Sequence, residues 1–129
     1  MNIEEDYVSY EVAKLLKEKG FDLLTDKVYD NQNKLDYQNV VCWQEKRLPY
    51  VLAPTLQMAC KWLREVHNLH VDVGYDDLDW FWNIISTSED VPIADRPKFI
   101  VTGTACHRTY EEAVEAAVKY TLKNLIIEL

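Results

Sequence analysis

The chain has 129 residues, 48% of them hydrophobic and 28% charged, which is the composition of one soluble globular domain. Its 14 basic and 22 acidic residues give a net charge of −8, which opposes nonspecific binding to phosphate backbones and favours basic partners. No apolar run approaches the length of a membrane span, and the acidic start MNIEEDYVSYEV is unlike a signal peptide, so we expect a cytoplasmic protein without membrane contact.

The first part of the chain predicts a helix followed by a β-hairpin. Ser9 is a favourable N-cap for a helix that runs to about Lys19, and Gly20 supplies the left-handed residue that ends it. The segments DKVYD and LDYQNVVCW are rich in residues that favour strands, and the turn Asp30–Asn33 lies between them. The segment EKRLPYVLAP is then expected to be a connection.

Pro54–Leu69 predicts the central helix of the fold, with Thr55 as its cap. The apolar arc covers roughly 200°, which is wider than a surface helix needs, so we expect this helix to lie between two layers. The residues that share its apolar face are Leu56, Ala59, Cys60, Leu63, Val66 and His67.

Three antiparallel strands are predicted after the central helix. His70–Tyr75 alternates polar and apolar residues, and Asp76–Asp79 is a turn. Trp80–Ser86 has apolar residues on both faces, which is typical of a middle strand in a sheet covered on both sides. Lys98–Thr104 is the third strand.

A capping box formed by Thr109 and Glu112 predicts the start of the last helix, which continues to about Ile126. Glu115 and Lys119 are spaced for an i,i+4 ion pair on its solvent face. The residues predicted to face inward are Tyr110, Ala113, Val114, Ala117, Val118, Thr121 and Leu125.

The order helix, three strands, helix is similar to the double-stranded-RNA-binding domain and to HicB-type antitoxins, and TYEEAVEAAVKYTLKNL resembles the final helix of either. The resemblance implies that both helices pack on one face of a three-stranded antiparallel sheet. We predict one α+β domain over residues 1–129, with an α-β-β-β-α core at 54–129. Residues 1–53, the N-terminal helix and hairpin, are predicted to cover the other sheet face, and a homodimer through that face is the alternative.

The segments YVSYEVAKLLKEKGFD, APTLQMACKWLREVHNLHV and TYEEAVEAAVKYTLKNL, a little over a third of the chain, also resemble a group of small proteins from phages and mobile elements of gut bacteria. This resemblance implies kinship with that group and implies no activity. An accessory role in such an element follows from it only by association.

Residues suited to catalysis or metal binding are few. Cys106 and His107 are too few ligands for zinc, and adjacent residues rarely point at each other as a nucleophile and its base must. His67 is expected to make a hydrogen bond in the core. The absence of a CxxC pair among Cys42, Cys60 and Cys106 fits a reducing compartment. We predict no enzyme, metal or cofactor, and an enzyme that uses Cys106 or His107 stays as an alternative.

Binding of RNA in the manner of the resembling families would need a basic start to the last helix. The matching positions are Arg108–Glu112, where Glu111 and Glu112 would repel phosphate. RNA binding in this manner is therefore not expected, and a nucleic-acid-associated regulator of the antitoxin type stays as the alternative function. It would require a basic patch assembled from Lys61, Arg64, Arg96 and Lys98.

An acidic turn with aromatic neighbours is the strongest candidate surface. Its carboxylates lack the glycine and distal glutamate of a calcium loop, so a solvated turn is expected at Asp72, Asp76, Asp77 and Asp79. Interface and core readings are both open for the aromatics Tyr75, Trp80, Phe81 and Trp82, and the core reading is favoured. We predict a non-catalytic acidic protein that binds a protein partner through Tyr75, Asp76, Asp77, Asp79, Trp80, Glu111 and Glu115.

Overall fold

The structure, a computed structural model, describes residues 3–30, 32–37, 50–103 and 106–126. Its elements follow in the order α1 (Tyr10–Glu18), β1 (Lys27–Tyr29), β2 (Leu35–Tyr37), β3 (Val51–Ala53), α2 (Leu56–His67), β4 (Leu69–Asp76), β5 (Asp79–Ser86), a 3-10 turn (Ile93–Asp95), β6 (Lys98–Thr102) and α3 (Tyr110–Asn124). The strands form two antiparallel sheets, with the orders β2-β1-β3 and β4-β5-β6. The α+β class predicted from the sequence is confirmed.

Local signals place α1 where the sequence predicts it. The Ser9 hydroxyl oxygen accepts a hydrogen bond from the backbone N–H of Val12 at 3.2 Å. Gly20 ends the helix with a φ of 95°, and the N–H of Phe21 donates to the carbonyl of Leu16 at 2.9 Å. This is the cap that a left-handed glycine provides.

The first sheet contains a strand that the sequence did not predict. β1 pairs with β2 as expected, and the Asp30 carboxylate accepts from the N–H groups of Gln32 and Lys34 in the turn. β1 also pairs with β3, so the prediction of a connection at Val51–Ala53 is wrong. Residues 38–49, which include the end of the predicted second strand, lie outside the described residues.

The central helix α2 is close to its prediction. The Thr55 hydroxyl accepts from the N–H of Met58 at 3.1 Å, and Asn68 ends the helix with a φ of 56°. Leu63 on its apolar face is fully buried, but Val66 is 56% exposed and its predicted inward position is wrong. The helix packs against β4 and α3.

The second sheet is built on a long hairpin. β4 and β5 pair in register over their full length, from Leu69 opposite Ser86 to Asp76 opposite Asp79. β6 pairs with β5 through a bulge that leaves Ile100 without a partner position. Valine, tryptophan and isoleucine side chains on one face of this sheet join the core beneath α2 and α3.

The predicted capping box of α3 forms in part. The Thr109 hydroxyl accepts from the N–H of Glu112 at 3.1 Å, as expected. The Glu112 carboxylate accepts from the N–H of Arg108, at 3.1 Å, rather than from the capping residue itself. Leu122 is fully buried although it was not predicted to face inward, and Tyr110 is 46% exposed although it was.

α1 packs against β3 and α3, on the helical side of the second sheet. Its buried residues Val12 and Leu16 belong to the same core cluster as α2 and α3. Among the described residues, the N-terminal elements do not cover the other face of β4-β5-β6, so that prediction is wrong for them. The apolar stripe of α1 is satisfied by α3, and periodicity alone does not say which layer a stripe meets.

Polar contacts fix α1 on α3. The Glu115 carboxylate accepts from the N–H of Ser9 at 3.0 Å, and Lys119 forms a 3.0 Å ion pair with Glu11. The hydrogen bond from Lys119, assisted by its charge and by Lys123 at 3.6 Å, lowers the pKa of Glu11. The predicted pair of Glu115 with Lys119 is therefore wrong, because Glu115 binds the N-cap residue of α1 and Lys119 binds Glu11 on α1.

Within the described ranges, no helix has both the length and the apolar character that a membrane span needs.

Candidate functional site

The β4–β5 hairpin ends in a two-residue turn that carries an apolar side chain. Asp77 and Leu78 have φ angles of 47° and 72°, as both central residues of a type I′ turn do. Such turns favour asparagine and glycine, because other residues pay a steric cost for positive φ. Leu78 nevertheless occupies this position, and it is 81% exposed.

Three aromatic rings lie in a row beside this turn. The ring centroids of Tyr75 and Trp80 are 4.9 Å apart, and those of Trp80 and Tyr110 are 5.6 Å apart with the planes nearly perpendicular. The backbone of Trp80 is held by two hydrogen bonds to His107, which attach the segment before α3 to β5. Tyr75 is 55% exposed and Tyr110 is 46% exposed. The row is thus a partly exposed, preformed aromatic surface.

Four carboxylates lie at the same end of the hairpin as the aromatic row. Asp76 stands directly opposite Asp79 in the hairpin, and alternation along the strands places both on the sheet face opposite Tyr75 and Trp80. Glu111 follows Tyr110 in the exposed first turn of α3. We define the hairpin-tip surface as Tyr75, Asp76, Asp77, Leu78, Asp79, Trp80, Tyr110 and Glu111.

Six of the seven residues predicted for partner binding belong to this surface, and Glu115 does not. Its carboxylate is engaged by the N–H of Ser9. Leu78 and Tyr110 were missed as surface residues. The sequence carries a signal for Leu78, since a leucine between aspartates in a turn of this length has no role in turn chemistry.

The two other candidate aromatics have structural positions. Trp82 is 8% exposed, and its ring lies 5.4 Å from that of Tyr120. The ring of Phe81 covers its cross-strand partner Gly74, where an added Cβ would lie 2.4 Å from the ring. The core interpretation is confirmed for Trp82. It is wrong for Phe81, which is half-buried and lies on the sheet face opposite the core.

Cys106 and His107 are closer than adjacent residues were expected to be. The sulfur of Cys106 lies 3.8 Å from Nε2 of His107. The described ranges contain no group of three or more side chains placed to hold a metal ion. A thiol and an imidazole alone are an incomplete catalytic arrangement, because a third group must orient the base.

The remaining histidine and cysteine of α2 serve the core. The ring of His67 packs edge-on against Trp62 at 4.7 Å, and burial lowers its pKa. Its Nε2 atom has no hydrogen-bond partner among the described residues, so the core hydrogen bond expected for it is not formed there. Burial raises the pKa of Cys60 to about 11, which keeps it a thiol.

The basic residues needed for nucleic-acid binding lie on separate elements. Lys61 and Arg64 are on α2, which packs on β4, whereas Lys98 is on β6 at the other edge of the sheet. Two strand spacings, about 10 Å, separate those edges. At the start of α3, the chain's own Thr109 and Glu112 already accept from backbone N–H groups that a phosphate would use.

A cavity of about 400 Å³ lies at the other end of β5, beside the loop that precedes β6. Its cation, Arg96, donates from Nε to the carbonyl of Val91 at 2.8 Å and from Nη2 to that of Glu89 at 3.1 Å. The Arg96 guanidinium is therefore used to hold its own loop together and is not free to bind an anion in the cavity.

No protein-family model, no curated protein and no solved structure matches the chain.

Proposed function

We propose that the protein is a non-catalytic binding protein that docks another protein on the hairpin-tip surface. The observation that carries this proposal is Leu78, an 81% exposed leucine held at positive φ. A left-handed conformation costs a residue with a Cβ roughly 1–2 kcal/mol. Burial of an apolar side chain could offset this cost, but an exposed side chain offsets little of it. A sequence that conflicts with local structural preference is typical of a functional position.

The surroundings of Leu78 support docking of a protein. Tyrosine and tryptophan dominate the energetics of protein interfaces, and Tyr75, Trp80 and Tyr110 stand together in a fixed arrangement. Rings that already pack against one another lose little side-chain freedom on binding, which lowers the entropic cost of association. The resemblance to proteins of phages and mobile elements suggests that this protein is an accessory factor of such an element.

The experiment is affinity capture from lysate of the native host, with and without nuclease treatment, with wild type and the double variant Leu78→Ala/Tyr110→Ala as baits. We expect a protein that wild type retains and the double variant loses. The matched control is Leu24→Ala/Ile93→Ala, which removes side chains that are 86% and 82% exposed elsewhere.

The control variant should retain the same protein as wild type. Equal retention by the Leu78→Ala/Tyr110→Ala variant would contradict docking at the hairpin tip. Loss of the captured protein on nuclease treatment would instead favour the nucleic-acid-associated regulator. Circular dichroism of each bait checks that all variants are folded.

A further inference from the structure

We propose that the hairpin-tip surface binds a cationic segment of a partner protein, with an arginine side chain stacked on its aromatic row. This inference rests on the proposed docking function and names the chemistry of the partner. Two features support it: the negative charge of the tip, which is complementary to a cation, and the partly exposed rings at the same end of the hairpin.

The tip carboxylates have no ion-pair partner among the residues that the structure describes. Among the described residues, ion pairs join lysines of α3 to Glu11, and none reaches Asp76, Asp77, Asp79 or Glu111. Arg108 is the single lysine or arginine in the two segments 75–80 and 106–111 that form the tip. The local charge is therefore strongly negative, in keeping with the net charge of −8 for the whole chain.

One pair of carboxylates in the tip destabilises the hairpin. Asp76 and Asp79 are directly opposite in the β4–β5 register, and like charges at such positions destabilise a hairpin. Asp77 adds a third carboxylate in the turn between them. A docked cation would relieve this repulsion, so the arrangement favours the bound state over the free one.

The aromatic row is suited to a guanidinium group. Arginine stacks on the faces of tryptophan and tyrosine and is more weakly hydrated than lysine. Asp76 and Asp79 lie on the other face of the hairpin, so they act on a cation over the rings through their field and not by contact. Asp77 and Glu111 lie at the margins of the row.

The chain contains an internal example of this contact. The ammonium of Lys27 lies 4.7 Å from the ring centroid of Tyr7 and 5.0 Å from that of Tyr37. Tyrosine rings of this acidic protein, one half-buried and one exposed, therefore already hold a cation where the chain supplies one. The described residues place no cation over the rings of Tyr75 and Tyr110.

The test is selection of random 12-residue peptides displayed on phage against wild type, with counter-selection against Leu78→Ala/Tyr110→Ala. We expect the tip-dependent peptides to contain arginine at least about threefold more often than the starting library. A selected peptide should bind at least about fivefold more weakly at 500 mM than at 50 mM salt, because added salt screens the carboxylates.

Charge variants complete the test. Asp76→Asn/Asp77→Asn should weaken the selected peptide by about threefold or more. The control Glu65→Gln/Glu89→Gln removes two charges at the opposite end of the hairpin, about 23 Å away by the length of β4. It should leave the dissociation constant within about twofold, since that distance exceeds the screening length.

The outcomes separate the two proposals. Tip-dependent peptides that are neutral or acidic, or that bind independently of salt, would overturn the cationic partner and leave docking at the tip standing. Selection that yields no peptide dependent on Leu78 and Tyr110 would overturn both.

Discussion

Replacement of Leu78 by glycine and by alanine separates the strain of the hairpin turn from the role of the side chain. Both substitutions remove the exposed leucine side chain. Only glycine also removes the Cβ that makes a φ of 72° unfavourable. The two variants should therefore lose partner binding equally and differ in their free energy of unfolding.

The magnitude follows from exposure and backbone conformation. Leu78 is 81% exposed, so its buried fraction contributes less than about 1 kcal/mol to stability. The left-handed conformation costs a residue with a Cβ about 1–2 kcal/mol, and glycine avoids this cost. Glycine also has a more flexible unfolded chain, which lowers the free energy of unfolding by about 0.5–1 kcal/mol relative to alanine. We expect Leu78→Gly to be about 0.5–1 kcal/mol more stable than Leu78→Ala.

Urea denaturation followed by tryptophan fluorescence measures this difference, provided that both variants give the same denaturant slope. A variant that is stabilised relative to alanine and still fails to bind would show that Leu78 is kept for binding. If Leu78→Gly were no more stable than Leu78→Ala, the turn would carry no strain. The reasoning from strain to function would then be refuted.

Three further predictions concern the fold and its thiols. Gly74→Ala should destabilise the protein by about 1–3 kcal/mol in the same urea assay, because the new Cβ would meet a ring 2.4 Å away; an unchanged midpoint would contradict that packing. Above pH 4.5 the ionised Glu11 of wild type stabilises the fold through its bond from Lys119, and this contribution is lost as pH falls through the lowered pKa of Glu11. Glu11→Gln should lack this contribution, so its stability should change less with pH than that of wild type. Parallel stability curves below about pH 5 would contradict this. Iodoacetamide at pH 8 should alkylate the exposed Cys106 at least about tenfold faster than Cys60, because the pKa of Cys60 is raised to about 11. Peptide mass spectrometry measures both rates, and equal rates would contradict this prediction.

Elements with local signals were predicted well from the sequence. Ser9 and Gly20 bound α1, and Thr55 bounds α2, because a cap is a bond between residues three to five positions apart. β3 was missed because three residues, Val51–Ala53, give no measurable alternation, and their partner strand lies more than 20 residues earlier. Glu115 was misplaced because helix spacing predicts its neighbours on α3 but not those on α1.

The candidate site was predicted in composition but not in geometry. The sequence placed Tyr75 and Trp80 beside an acidic turn, and their rings do meet. It did not bring Tyr110 to them, since that contact joins β5 to a helix about 30 residues later. The positive φ of Leu78 is likewise a property of the folded hairpin, set by the strand register on both sides.

The attachment of α1 to α3 has a consequence for how the protein folds during synthesis. The bonds that hold the two helices join residues 106 and 108 positions apart. At bacterial or eukaryotic translation rates, α1 leaves the ribosome about 5–20 seconds before its partner helix. During that interval its buried face, with Val12 and Leu16, lacks its cover and is open to chaperones or to a neighbouring nascent chain. Slowing translation just before α3 should therefore increase aggregation more than slowing it after α3.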